Sequence, residues 1–152
     1  VVDAHPEWAR DKLIDRNFIV QASLLHDIGI LFCDASTIHC IGHHPYIEHG
    51  FLGAQLLRQE GLERHALVAE RHTGSGLTKE DIVMQQINIP IQDYLPISLE
   101  EKVICFADKF FSKSKPTQQL TLEQIHRNMS RFGDASFNRW LALEKLCIGN
   151  KM

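Results

Sequence analysis

Apolar residues in this 152-residue chain recur at three- and four-residue spacing almost from end to end, the period of helices with one buried face. That pattern confines the chain to helix-on-helix packing before any residue is given a role. Phe18, Ala22 and Leu25, with Val20, Leu24 and Ile28 beside them, predict a broad buried face from Asn17 to Ile28, ended by Gly29. Pro45 suits a first helical turn, and Ile47, Phe51, Leu52, Leu56 and Leu57 carry a helix to Gly61. A third helix runs from Leu62 to His72 and stops at "HTGSG". Thr78 with Asp81 caps a short helix, and Ser98 with Glu101 and Thr121 with Gln124 form capping boxes ahead of "LEEKVICFADKFFSK" and "LEQIHRNMSRFG". Between them, Ile87, Ile89 and Ile91 alternate as in a strand, but Pro90 argues for an extended loop, either a lid or a connector. A last helix spans about Ala135 to Cys147. The expectation is one all-α domain, residues 1–152, of about six packed helices.

Charge and cysteine usage narrow the function classes. A net charge of −3 and a pI near 6.3 imply no basic face for a nucleic-acid backbone, so no nucleic-acid partner is expected. Cys33, Cys40, Cys105 and Cys147 show neither CxxC pairing nor dense spacing, which reads as reduced cytosolic thiols. No apolar stretch approaches the roughly 18 residues of a membrane span, and no signal peptide is evident, so a soluble cytoplasmic protein is expected. The chain begins at Val1, and "VVDAHPEW" reads as the tail of a helix stopped by Pro6, so residues are expected ahead of it.

The chemistry begins with "LLHDIGI", residues 24–30, where His26 and Asp27 sit inside an apolar run. A desolvated carboxylate costs several kcal/mol, so something must compensate Asp27. A histidine–aspartate ion pair or a helix-end hydrogen bond is one answer; a metal ion, which needs deprotonated ligands, is the other. His49, His72 and Asp108 repeat the pattern, each a ligand-type side chain in or at the end of an apolar helix. Imidazole and carboxylate from facing helices are how bundles hold iron or manganese.

With "HDIG", "EHG", "RHTG" and "LEEKVICFADK" in that order, the chain resembles the HD superfamily of metal-dependent phosphohydrolases of the HDIG type, over about residues 17–114. It looks most similar to the branch that includes the symmetrical diadenosine-tetraphosphate hydrolases; no second "GYP" tripeptide marks the cyclic-dinucleotide branch. The resemblance implies that Asp27 bridges two ions, that His26 and Asp108 complete one, and that His49 and His72 hold the other. It also implies a first histidine ahead of Val1, since His5, just before Pro6, reads as a surface helix-end residue. The cofactor expected is one or two divalent ions, iron or manganese by ligand type, with zinc also compatible. The substrate expected is a small phosphorylated metabolite or nucleotide, attacked by a metal-activated hydroxide.

Lys109, beside Asp108, reads either as a phosphate contact counted with Asp27 in the catalytic set or as a solvated helix lysine. Thr73, Gly74 and Ser75 read either as anion donors or as a helix stop. In "CDASTIHCIGHHP", the cysteine spacing fits no common zinc pattern, so Asp34, His39 or His43 is expected to contact substrate from a covering loop. His65 and His126 read as surface residues, while Phe110, Phe111, Phe132 and Phe137 belong either to the core or to a homodimer face. Two further classes share the same ligand set: a mixed-valent di-iron oxygenase and a non-catalytic signalling or scaffold domain.

Overall fold

The structure, a computed structural model, describes residues 1–149. Among them eight α-helices alternate with 3₁₀ turns and two small antiparallel strand pairs, so the chain is all-α with two short ribbons added.

Pro6 starts a helix rather than stopping one. It is the first residue of α1 (Pro6–Arg10), where its missing N–H costs nothing. His5 stacks on Trp8 with ring centroids 4.0 Å apart, and its Nε2 donates to the Cys147 carbonyl at 2.9 Å, so it ties the N-terminus to the last helix.

Helix α2 (Arg16–Leu25) is capped by Asp15, whose carboxylate accepts from the Phe18 amide at 3.1 Å. It ends at Leu25, short of the predicted Ile28, and a 3₁₀ turn, Ile28–Phe32, follows. Its buried stripe is narrow: Phe18 and Ala22 meet Val68 and Ile104, while Val20 and Leu24 are 62% and 79% exposed. The broad face predicted there is absent because α2 rests chiefly on α4 and α6, which cover one side of it.

Gly29 is no helix stop but the tightest of the glycine positions. A Cβ on it would lie 1.9 Å from the His49 carbonyl oxygen and 2.4 Å from the Gly53 nitrogen. Pro45 precedes a 3₁₀ turn, Tyr46–Glu48, so that α3 (His49–Gln59) starts at a candidate ligand. Gly50 lies against α4 (Glu63–Arg71), where a Cβ would come 2.6 Å from the Ala69 carbonyl oxygen. Ala54, Leu57, Ala66 and Ala69 fill the remaining contact.

The capping box at Thr78–Asp81 opens α5 (Lys79–Gln85) as predicted, and residues 87–96 stay a loop, joined to Leu77 by a single bridge at Tyr94. Ahead of α6 (Leu99–Asp108) only half of the predicted box forms. Ser98 accepts from the Glu101 amide, while the Glu101 carboxylate instead accepts from Ile97 N and Arg71 Nη1. The helix stops at Asp108, where "KFFSK" was predicted to continue it; β3 (Phe111–Ser112) pairs with β4 (Lys115–Gln119) in a hairpin that carries Lys113 in its turn.

Helix α7 (Leu122–Met129) has its full Thr121–Gln124 box, and α8 (Asp134–Ile148) closes the fold. Between α6 and α8 lies the largest core cluster, with Trp8, Phe106, Met129 and Trp140. Phe106 stacks on Trp140 at 5.0 Å. Phe110 and Phe137 pack on this core, whereas Phe111 and Phe132 are 57% and 61% exposed.

Candidate metal centre

All five candidate ligands stand at helix ends. His26 caps α2 and Asp27 follows it, His49 begins α3, His72 caps α4 and Asp108 ends α6. Three of those four ends are C-termini, whose unpaired carbonyls carry partial negative charge and favour a cation.

Local geometry then aims the imidazoles. Each donates Nδ1–H to the carbonyl three residues back: His26 to Ser23 at 2.7 Å, His49 to Tyr46 at 2.6 Å and His72 to Ala69 at 2.7 Å. A carbonyl can only accept, so the proton of each neutral ring is on Nδ1 and Nε2 presents a lone pair. Those lone pairs converge, with His49 Nε2 and His72 Nε2 3.1 Å apart. Asp27 Oδ1 lies 3.3 Å from both, and Asp27 Oδ2 and Asp108 Oδ1 each lie 3.2 Å from His26 Nε2.

Two sets of potential ligand atoms result, His26–His72–Asp108 and Asp27–His49–His72, each within 4.8 Å. His72 belongs to both. Asp27 still faces both sides, one oxygen toward His26 and the other toward His49 and His72. Asp27 Oδ1 is buried without a hydrogen-bond partner, and its nearest neighbours are imidazole nitrogens whose protons are spent elsewhere. Converging acceptors of this kind fit a divalent cation of borderline hardness.

Electrostatics within the cluster are polarised. Burial opposes charge on Asp27 and Asp108, yet the histidines around Asp27 and the lysine beside Asp108 hold both carboxyls well below the usual range. Burial also disfavours charge on His26, but Asp108 and Asp27 outweigh it and push the imidazole up to about 9, so with no cation bound its Nε2 holds a proton between the two carboxylates, which a cation would replace. Deeper burial takes His72 down to about 4, so it is a neutral donor of its lone pair near pH 7.

A cavity of about 440 Å³ opens beside the cluster, lined by His49, His72, Thr73, Asp108 and, farther off, apolar residues such as Leu77 and Met129. Thr73 therefore borders both ligand and cavity. Asp34 lines a second cavity of about 510 Å³ together with Tyr46 and Lys109. His39 does not join them: it is exposed, at a positive φ of 63°, outside both linings. His43 is likewise exposed and outside both linings. Cys33 is buried with its thiol toward the Gly29 and Pro45 carbonyls, and no metal-ligating group forms around the Cys33–His44 loop among the described residues. His65 packs edge-on against Phe18 at 4.9 Å, and His126 pairs with Glu144 at 2.5 Å, so neither is a bare surface group.

Lys109 borders both cavities, and its charge is already paired. Its ammonium donates to Asp108 Oδ2 at 2.5 Å and to the His72 carbonyl at 3.1 Å. Two residues escaped the sequence reading. Lys113 reaches Asp27 Oδ2 at 2.9 Å and Asp108 Oδ1 at 3.8 Å, and the Tyr46 ring lies 4.7 Å from that of His49. The turn-forming "SKSKP" was the one local signal near Lys113, which lies in the turn between β3 and β4.

The family model described as HD domain matches residues 4–112. An uncharacterized protein of Methanocaldococcus jannaschii is 42% identical over 103 residues, covering 67% of this chain and 53% of that protein. Two proteins named tRNA (cytidine(56)-2'-O)-methyltransferase also match. The one from Picrophilus torridus is 33% identical, over 66% of this chain and 26% of its own length. The one from Thermoplasma volcanium is 31% identical, over 82% and 32%. The chain thus spans about half the length of the first relative and about a quarter to a third of the others. No solved structure matches it significantly.

Proposed function

The chain belongs to the HD-domain family, and on that premise we propose that it is a metal-dependent phosphohydrolase acting on a phosphoester or phosphoanhydride of a small metabolite or nucleotide. The observation that carries the reading is the converging acceptor set: three imidazoles with Nδ1 committed to carbonyls, and two carboxylates, one with an orphaned oxygen. His26, Asp27, His49, His72 and Asp108 would hold one or two divalent ions, iron or manganese by ligand type and zinc by tolerance. When bound, such an ion supplies Lewis acidity toward phosphoryl oxygens and a water acidic enough to act near neutral pH.

The chain's own residues do the rest. Asp27 faces both ligand sets and keeps them in register. The three carbonyl bonds fix tautomer and ring plane, so no reorientation is needed before a ligand binds. The cavity of about 440 Å³ is in the range of small-molecule sites, which favours a compact substrate over a polymer.

The test is a panel of phosphomonoesters, nucleotides and dinucleotides with manganese or iron present. Asp27→Ala should lower turnover at least about a thousandfold, several kcal/mol of lost charge stabilisation. A variant that keeps full activity overturns the site. Turnover that requires dioxygen would move the domain to the oxygenase class. A second reading, a module serving tRNA modification, draws on the names of two relatives; binding of tRNA without any hydrolysis would favour it.

A further inference from the structure

We propose that Lys113, and not Lys109, receives the phosphoryl group of the substrate, an inference that rests on the hydrolase reading above. The two lysines flank Asp108 but are held in different ways. Lys109 spends its bonds on Asp108 Oδ2 and on the backbone carbonyl of His72, and only 14% of its side chain is exposed. Bound to a fixed carbonyl and to a candidate ligand, it is a positioning residue that joins the ends of α4 and α6.

Lys113 has no such anchor. It projects from the β3–β4 turn, and among the described residues its ammonium pairs with the carboxylates of Asp27 and Asp108 and lies 6.0 Å from the centre of the Tyr46 ring. It lines three cavities around the cluster, of about 440, 510 and 390 Å³; Lys109 borders the first two and not the third. The ammonium would compete with a divalent ion for those carboxylates, and once released its flexible four-carbon stem would let it turn into the adjoining space. Tyr46 offers an aromatic face for the retracted cation.

Charge balance points the same way. Two carboxylates face two ammoniums across the cluster. With His26 neutral once its Nε2 lone pair is given to an ion, a first divalent ion would leave an excess of about two positive charges, which a phosphomonoester dianion would balance. A released ammonium beside that anion can turn all three N–H donors toward it, whereas Lys109 has two of its three committed to Asp108 and the His72 carbonyl and is fixed between them.

The experiment is calorimetric titration with manganese and then with inorganic phosphate, on the wild-type protein and on Lys113→Gln, Lys113→Arg and Lys109→Gln. Lys113→Gln should bind manganese severalfold more tightly, because a competing cation is gone, and phosphate at least about tenfold more weakly. Lys113→Arg should recover most of the phosphate affinity. Lys109→Gln, which removes the same charge from a buried pair, should weaken phosphate binding less than Lys113→Gln does and should unfold at lower temperature. Unchanged phosphate affinity in Lys113→Gln overturns the proposal, as does a phosphate loss confined to Lys109→Gln. Wild-type protein that takes manganese but no phosphate also overturns it. Wild-type protein that takes no metal overturns the hydrolase reading itself, a result distinguishable at the first titration.

Discussion

Where α3 meets α4 and Gly29 the interior is mostly small residues, Gly50, Gly53, Ala54, Ala66 and Ala69 with Leu57, whereas between α6 and α8 it holds Phe106, Trp140 and Leu143 with Trp8 beside them. Glycine and alanine bury little apolar area but let backbones touch, and that contact is what leaves His49 Nε2 and His72 Nε2 3.1 Å apart. Large aromatic side chains bury on the order of 150–250 Å² each and stabilise without setting backbone separation to a fraction of an ångström. One region supplies position and the other supplies stability. Asp108, at the end of α6, is where they meet.

Substitutions at the two regions should therefore fail differently. The largest effect is expected from Gly29→Ala. Its Cβ would meet the His49 carbonyl at 1.9 Å, backbone against backbone, with no side chain free to yield. A loss of about 3 kcal/mol or more in chemical denaturation is expected, with metal uptake lost as well. Wild-type stability in that variant would break the comparison.

Trp140→Phe should act on the other side of it. Trp140 is fully buried and stacked on Phe106, so the smaller ring leaves a void costing about 1–2 kcal/mol, while the folded protein takes up metal as before. Loss of metal below its unfolding transition would mean that the aromatic core sets the site after all.

Proton linkage sharpens the contrast further. In chelated protein, burial keeps His72 neutral down to about pH 4, whereas the unfolded chain takes up that proton below about 6.5; stability therefore falls as pH drops from 6.5 toward 4. His26 behaves oppositely. Despite burial, Asp108 and Asp27 hold its proton up to about pH 9, so its contribution is complete below about 6.5 and is lost as pH rises toward 9. Denaturant midpoints against pH should peak near 6.5, and Trp140→Phe should lower that curve without moving its maximum. The smallest effect is expected from His65→Ala. It loses one edge contact with Phe18, about 0.5–1 kcal/mol, and no metal.

Much of this was legible in the sequence, and the rest was hidden for identifiable reasons. His26, Asp27, His49, His72 and Asp108 could be picked out because polar side chains in apolar helical runs need compensation, and the fold brings all five together. Thr78 and Thr121 announce their helices through local bonds alone. Lys113 was hidden because "KFFSK" satisfies helix and hairpin equally, and the choice depends on pairing with Gln119, eight positions beyond Phe111. Val20 and Leu24 looked buried because periodicity reports an apolar face, not whether a neighbour covers it. The role of Gly29 was misread for the same reason: its constraint comes from α3, about twenty residues away.

The central claim is that three imidazoles and two carboxylates at helix ends form a cation site. Elemental analysis of anaerobically purified protein tests it most directly, with Asp27→Ala as the paired control. One to two equivalents of iron or manganese in the wild type, absent from a control that stays folded, is the result predicted. Protein that is folded, metal-free and unable to take up either ion would contradict the claim and make the cluster a network of buried ion pairs.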